Sequence, residues 1–237
     1  LSKATATVTS PLLSRIQGTP TPTETVPNDN SSFYHYLNSL TNVWRYKIIS
    51  NFEYLILLNM LSGRSFNDPS MYPVFPWIVA DYESDTIRLN DKEFFRDLSL
   101  PVGALNKSRL RDLILRRKEM IEINDEYIFL YGAGYSTPIS LFNWMIRLEP
   151  FASLHVEMQN GHFDHPQRLF YSLKTAFKLA TSNSNDYREL IPEFFFLPDF
   201  LVNKNGFNFG GLKEGVIPFD IIKQNVAEGK EMNLSDS

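Results

Sequence analysis

The chain has 237 residues, no cysteine, and 23 basic against 27 acidic side chains, for a net charge of −4. That length supports one large domain, and 43% hydrophobic with 14% aromatic content is ample for a buried core. Disulfides, thiol catalysis and thiolate metal sites are excluded, and no global field draws the chain to nucleic acid or to an anionic bilayer, so any such contact must be local. No window approaches the about 20 apolar residues of a membrane-spanning helix, and the N-terminus lacks a charged head followed by an apolar block. The expectation is a soluble chain with membrane contact that is at most peripheral.

Residues 1–32 are rich in Thr, Ser and Pro and read as a disordered linker, because they cannot bury enough surface to offset the entropy of ordering. The first residue is Leu, not Met, and the chain is expected to be part of a longer one. From Phe33 to Tyr46 the residues Phe33, Tyr36, Leu37, Leu40 and Trp44 recur at helical spacing, which predicts an amphipathic helix at the start of a globular part covering 33–237. Ser50 and Glu53 have the spacing of a capping box, Ile49 and Tyr54 that of a hydrophobic staple, and Gly63 can close the helix in a left-handed conformation. The intervening FEYLILLNML is apolar nearly all round and predicts a central core helix over 51–62. Asn67, Asp68 and Ser70 then offer turn and capping oxygens. The prolines in YPVFPW forbid helix or central strand, leaving an extended, buried segment.

Further along, WIVADY reads as a short buried strand-like piece and Asp91–Asp97 as a helical turn. Lys107–Ile123 is a helix with Leu110, Leu113, Ile114, Arg117 and Ile121 on one side. Its basic cluster of Arg109, Arg111, Arg116, Arg117 and Lys118 is interleaved with Asp112, Glu119 and Glu122, the pattern of a solvated, charge-mixed face. Thr137 and Pro138 begin a helix that should reach Leu148, with Trp144 and Met145 in the core and Pro150 closing the segment. Asp164 and Gln167, with Pro166 in the first turn, predict a helix that carries Leu169, Phe170, Leu173, Ala176, Phe177 and Ala180 inward. After Ile191 the chain is aromatic, extended and poor in regular structure, and no internal repeat is visible.

Several stretches carry a resemblance. ISNFEYL, GRSFNDPSMYPVFPW, FRDLSLPVGALN, YGAGYSTP, RLEPF, QNGHFDHPQRLF and RELIPEFFFLPDFLVNKN resemble, in order, the signature blocks of the BEACH domain family of neurobeachin-like proteins and lysosomal trafficking regulators. Together they span roughly Trp44 to Gly210. The resemblance implies a mainly α, BEACH-type single domain whose core holds extended segments without regular secondary structure. It also implies a PH-like domain immediately before it and a scaffolding role in membrane traffic. The chain departs from the family where Ala133 and Gly134 stand in place of Thr and His, and where GVIPFDIIKQ replaces an LPPWA-like continuation, so that the domain is expected to be incomplete at its C-terminus.

Chemistry-bearing residues are few. His162, Asp164 and His165, with His155 upstream, could bind zinc or act as acid and base in a metal-dependent hydrolase, but Asp164 is the better helix cap and no helical metal-pair spacing is present. Gly132 and Gly134 before a helix mimic a phosphate cradle without the Lys of a Walker loop. The denser signal is polar residues set in apolar sequence. Asn51, Glu53, Arg147, Glu149, Asp164, Arg168 and Glu193 are expected to form a structural network, since buried charges must be paired. Asn67, Asp68, Tyr72, Arg96 and Asp97 are the candidates for partner contact. The reading is a non-enzymatic protein-interaction scaffold of vesicle traffic, cytoplasmic or peripheral on endomembranes, with no cofactor and no nucleic acid. Its partner would be the preceding PH-like domain, and the alternatives are the hydrolase or an anionic-lipid binder using the Arg109–Lys118 face.

Overall fold

A computed structural model describes residues 30–84, 86, 88–124, 126–131, 136–183, 185–212 and 215–216. Residues 1–29 of the linker expected over 1–32, the Gly132–Gly134 pair and the chain after 216 lie outside the described residues. The fold is mainly α, and among the described residues there is one antiparallel ladder of two residues a side, Gly211 opposite Val216 and Leu212 opposite Gly215. No helix among the described residues is long and apolar enough to cross a membrane. The chain divides into two compact units, 1–63 and 64–237.

The first unit holds α1 (Asn30–Arg45) and α2 (Asn51–Leu61). Helix α1 begins at Asn30, inside the segment expected as linker. Leu40, Ile49 and Leu57 are buried, with Val43, Trp44, Tyr54, Leu58 and Leu61 packed on them. Trp44 stacks on Tyr54 at 4.6 Å and donates its indole N–H to Asn51 Oδ1 at 2.7 Å. Both halves of the capping box are made: Glu53 N–H donates to Ser50 Oγ and Ser50 N–H to Glu53 Oε2. Gly63 has φ +80°, the left-handed stop. Helix α2 is less enclosed than its composition predicts. Only Leu57 and Asn59 are buried, most other apolar side chains are half-buried, and Met60 is exposed.

The second unit contains α3 (Lys107–Glu122), α4 (Pro138–Trp144), α5 (Phe151–Met158) and α6 (Leu173–Ser182). Helices α4 and α5 pack together, and α3 and α6 both pack on the 3-10 turn Val102–Ala104. Side-chain oxygens cap three of these helices: Asn106 for α3, Thr137 for α4 and Ser172 for α6.

Three expectations change. Helix α4 stops at Trp144, short of Leu148, because Trp144, Met145, Ile146 and Arg147 are all buried and four consecutive residues cannot share one helix face. Pro150 does not close a segment but stands at the start of α5, where the Glu149 carboxylate accepts from Ser153 N–H at 3.2 Å and Oγ–H at 3.0 Å. The helix expected from Pro166 is a single 3-10 turn, Pro166–Arg168. Asn143 of α4 accounts for this: it donates to Arg168 C=O at 2.9 Å and accepts from Phe170 N–H at 2.7 Å, holding the backbone extended until Ser172 caps α6. Asp164 is therefore not a helix cap.

Candidate functional site

The extended segments meet at Trp77, whose ring is fully buried with edge-to-face contacts to Tyr82, Trp144 and Phe177. Extended backbone without a sheet still needs partners for its N–H and C=O groups. Phe75 and Leu190 exchange both backbone bonds at 2.8 Å, while Ala80 and Arg96 donate to Phe94 and Ile78 at 2.9 Å. Glu189 supplies what backbone pairing leaves over. Its Oε2 accepts from Trp77 N–H at 2.9 Å and its Oε1 from Val102 N–H at 3.1 Å. Arg96 Nη1 donates to both oxygens, at 2.8 and 2.9 Å, and Arg96 Nη2 donates to Leu100 C=O at 3.0 Å. One carboxylate thus ties three segments together, and both partners of the ion pair are nearly solvent-free.

A second node lies at Glu193. Tyr72 O–H donates to its Oε1 at 2.7 Å, and burial pushes both groups above their ordinary pKa values, with the shared bond raising Tyr72 and lowering Glu193. A third is built on Arg109 of α3, whose guanidinium donates to the carbonyls of Val102, Ala180, Asn183 and Asp186 at 2.6 to 3.1 Å. Burial lowers its pKa. Arg109, Leu113 and half-buried Arg116 and Met120 form the inward edge of α3, displaced from the expected one, so that Ile114 and Ile121 are exposed.

Tyr72 and Arg96, expected to face a partner, are buried and spent on these internal bonds. Asn67, Asp68 and Asp97 are exposed. Asp68 and Asn67 sit in a tight turn in which Ser65 N–H donates to Met71 C=O, Ser70 N–H to Asp68 Oδ1, and Arg64 Nη1 to Tyr72 C=O and Ser136 Oγ. This turn presents Phe66 and Met71 outward. Asp97 accepts from Ser99 N–H and Oγ–H, chiefly the hydroxyl, which hold its carboxyl below the usual range. It borders a shallow groove of about 390 Å³ floored by Ala80, Phe95, Leu105 and Phe177.

The expected structural network is dispersed. Asn51 accepts from Trp44 of α1, Glu53 completes the capping box of α2, Glu149 serves α5, and exposed Arg168 pairs with Asp164 at 3.6 Å. Arg147 is fully buried, its guanidinium 5.5 Å from the ring centroids of both Phe170 and Phe209. His162 and His165 are exposed, and His155 is buried apart from them, accepting from Asp164 N–H at 3.4 Å, with burial lowering its pKa. No group of three His, Cys, Asp or Glu among the described residues could hold a metal ion.

Sequence reading missed Glu189 and Asn143, and set Arg109 on a solvated face of α3 when it is buried. A lone polar residue between apolar neighbours, as in RELIPEFF and LFNWM, was the available signal, but its partners are distant in the chain. A model of the Beige/BEACH domain matches residues 42–223. The chain belongs to the BEACH family. It is similar to BEACH domain-containing protein B of Arabidopsis thaliana, 48% identical over 172 residues, which is 73% of this chain and 7% of that protein. It is also similar to BEACH domain-containing protein lvsE of Dictyostelium discoideum, 49% identical over 176 residues, 73% of this chain and 8% of that one. A putative neurobeachin homolog of Caenorhabditis briggsae is 44% identical over 190 residues, 79% of this chain and 7% of the homolog. The chain thus spans less than a tenth of each of these proteins. All three buried nodes lie inside the stretch that the BEACH model matches.

Proposed function

We propose that this BEACH domain is a non-catalytic interaction scaffold in intracellular vesicle and membrane traffic, of the lysosome-related, autophagic or fusion and fission kind. It works at the cytoplasmic face of endomembranes, requires no cofactor, and has as its first partner the PH-like domain of its parent chain. The observation that carries the reading is the inward commitment of its reactive side chains. Arg96, Glu189, Arg109, Tyr72 and Glu193 are bonded to the fold itself, while the ordered 64–72 turn offers Phe66, Asn67, Asp68 and Met71 to solvent. Rigid turns with an apolar centre and polar edge suit recognition without chemistry.

Titration calorimetry of the chain with the PH-like domain of its parent tests this. Phe66→Ser and Asn67→Ala are expected to weaken binding about tenfold or more, as truncation of a central contact does, and Asp97→Ala would extend the face to the groove. Circular dichroism must show the fold unchanged. Absent heat, or equal affinity in every variant, would remove the turn and the groove from the partner surface.

A further inference from the structure

Of the twenty large apolar side chains left exposed among the described residues, seven fall between residues 114 and 129, on α3 and the turn after it. Isolated exposed apolar residues need no explanation, but a cluster does. Its setting on α3 is ordered. At about 100° per residue, the arc next to the buried edge carries Ile114 and Ile121 with half-buried Leu110, bordered by Arg117 on one side and by Lys107, Lys118 and Arg111 on the other. Asp112 and Glu119 occupy the far side, and Glu122 is the one helix acid at the border. None of the four cations has an ion-pair partner among the described residues. Leu115 and Ile123 fall outside this arc, about 100° and 180° round the helix from Ile114.

We propose that this outer face of α3 rests on an anionic lipid bilayer, with Ile114 and Ile121 entering the interface and the four cations lying among lipid phosphates. Interleaving decides between lipid and protein. A protein interface is depleted of Lys at its centre, because each ammonium brought there must be desolvated and paired. At a bilayer surface the same side chains lay their methylene stems against the apolar layer and keep their heads among hydrated phosphates. Charge agrees: the chain is −4 overall, so the residues outside this face carry −8 once its four cations are set aside. An anionic surface therefore attracts this face and repels the remainder, which orients the domain. The proposal is independent of the PH-like partner.

Co-sedimentation of the whole 237-residue chain with vesicles of phosphatidylcholine, with and without phosphatidylserine, tests it. Binding is expected only to the serine-containing vesicles and should weaken as salt rises. The triple variant Arg111→Ala/Arg117→Ala/Lys118→Ala should bind about fivefold more weakly per cation, on the order of a hundredfold in all. Ile114→Asn/Ile121→Asn should lose binding even at low salt, whereas Lys174→Ala/Lys204→Ala should retain it. All three variants alter exposed residues, and far-UV circular dichroism verifies that they fold. Failure of the chain to sediment, or a triple variant that binds as well as the parent, overturns the proposal. So does a dimer in sedimentation velocity that Ile114→Asn/Ile121→Asn dissociates while vesicles stay unbound, which would make the face a contact between copies. Competition by free glycerophosphoserine as effective as that by vesicles would also overturn it, since a free headgroup makes no use of the apolar stripe.

Discussion

Replacing Glu189 by Leu removes the acceptor on which three extended segments converge. The guanidinium of Arg96 is left buried without its counter-charge, and Trp77 N–H and Val102 N–H lose their acceptor. Stranding one member of a buried ion pair costs about 3–5 kcal/mol, and each orphaned buried donor about 1–3 kcal/mol. The sum, about 5–11 kcal/mol, rivals the about 5–15 kcal/mol that holds a typical domain folded. Glu189→Leu should therefore sit at the edge of unfolding in water. Arg96→Met, which leaves Glu189 with both backbone donors, should cost only about 3–5 kcal/mol. The double variant carries no stranded charge and should lose about 2–6 kcal/mol, the share of the two N–H groups alone. Urea unfolding, followed by fluorescence of buried Trp77 and Trp144 and by far-UV circular dichroism, measures all four corners of the cycle. A Glu189→Leu protein within about 1.5 kcal/mol of the parent, below the smallest of these terms combined, would refute the reasoning. So would a double variant no more stable than Glu189→Leu.

Glu193 gives a prediction in pH. Its folded pKa is raised by burial, so its contribution to stability is fully present below the ordinary carboxyl value of 4.5 and is lost as pH rises through the raised one. Glu193→Gln should flatten that fall, gaining on the parent at neutral pH and not at low pH; parallel stability curves for the two proteins would count against it. Arg109→Lys keeps the charge but cannot reach four carbonyls, and should speed amide exchange at the end of α6, at Asn183 and over 185–187, with a loss of about 3 kcal/mol or more from charged bonds forgone. Exchange protection unchanged there would show that water replaces the guanidinium without penalty. Ser50→Ala removes one half of the α2 capping box and should cost about 1 kcal/mol, visible as earlier melting of the far-UV signal; no change in melting would mean that Glu53 alone secures the helix start.

What the sequence determined by itself is what four or five neighbouring residues can decide. Ser50 with Glu53, Gly63, Asp91 and Thr137 mark helix and turn ends because each bonds to backbone within three residues of itself. The prolines of YPVFPW exclude helix and central strand for equally local reasons, and the mainly α class is what the family resemblance implied. The family too was legible, since several long blocks in order carry it. Tertiary structure decided the rest. Whether the chain turns helical at Pro166 or only at Leu173 depended on Asn143, 25 and 27 residues from the groups it bonds. The inward edge of α3 was set by the carbonyls that Arg109 meets, not by the apolar period. Glu189 became the hub because it lies 112 residues from Trp77, 93 from Arg96 and 87 from Val102 along the chain, and close beside all three in space. A buried carboxylate draws its role from the donors that folding brings to it, and no local pattern encodes which donors those are.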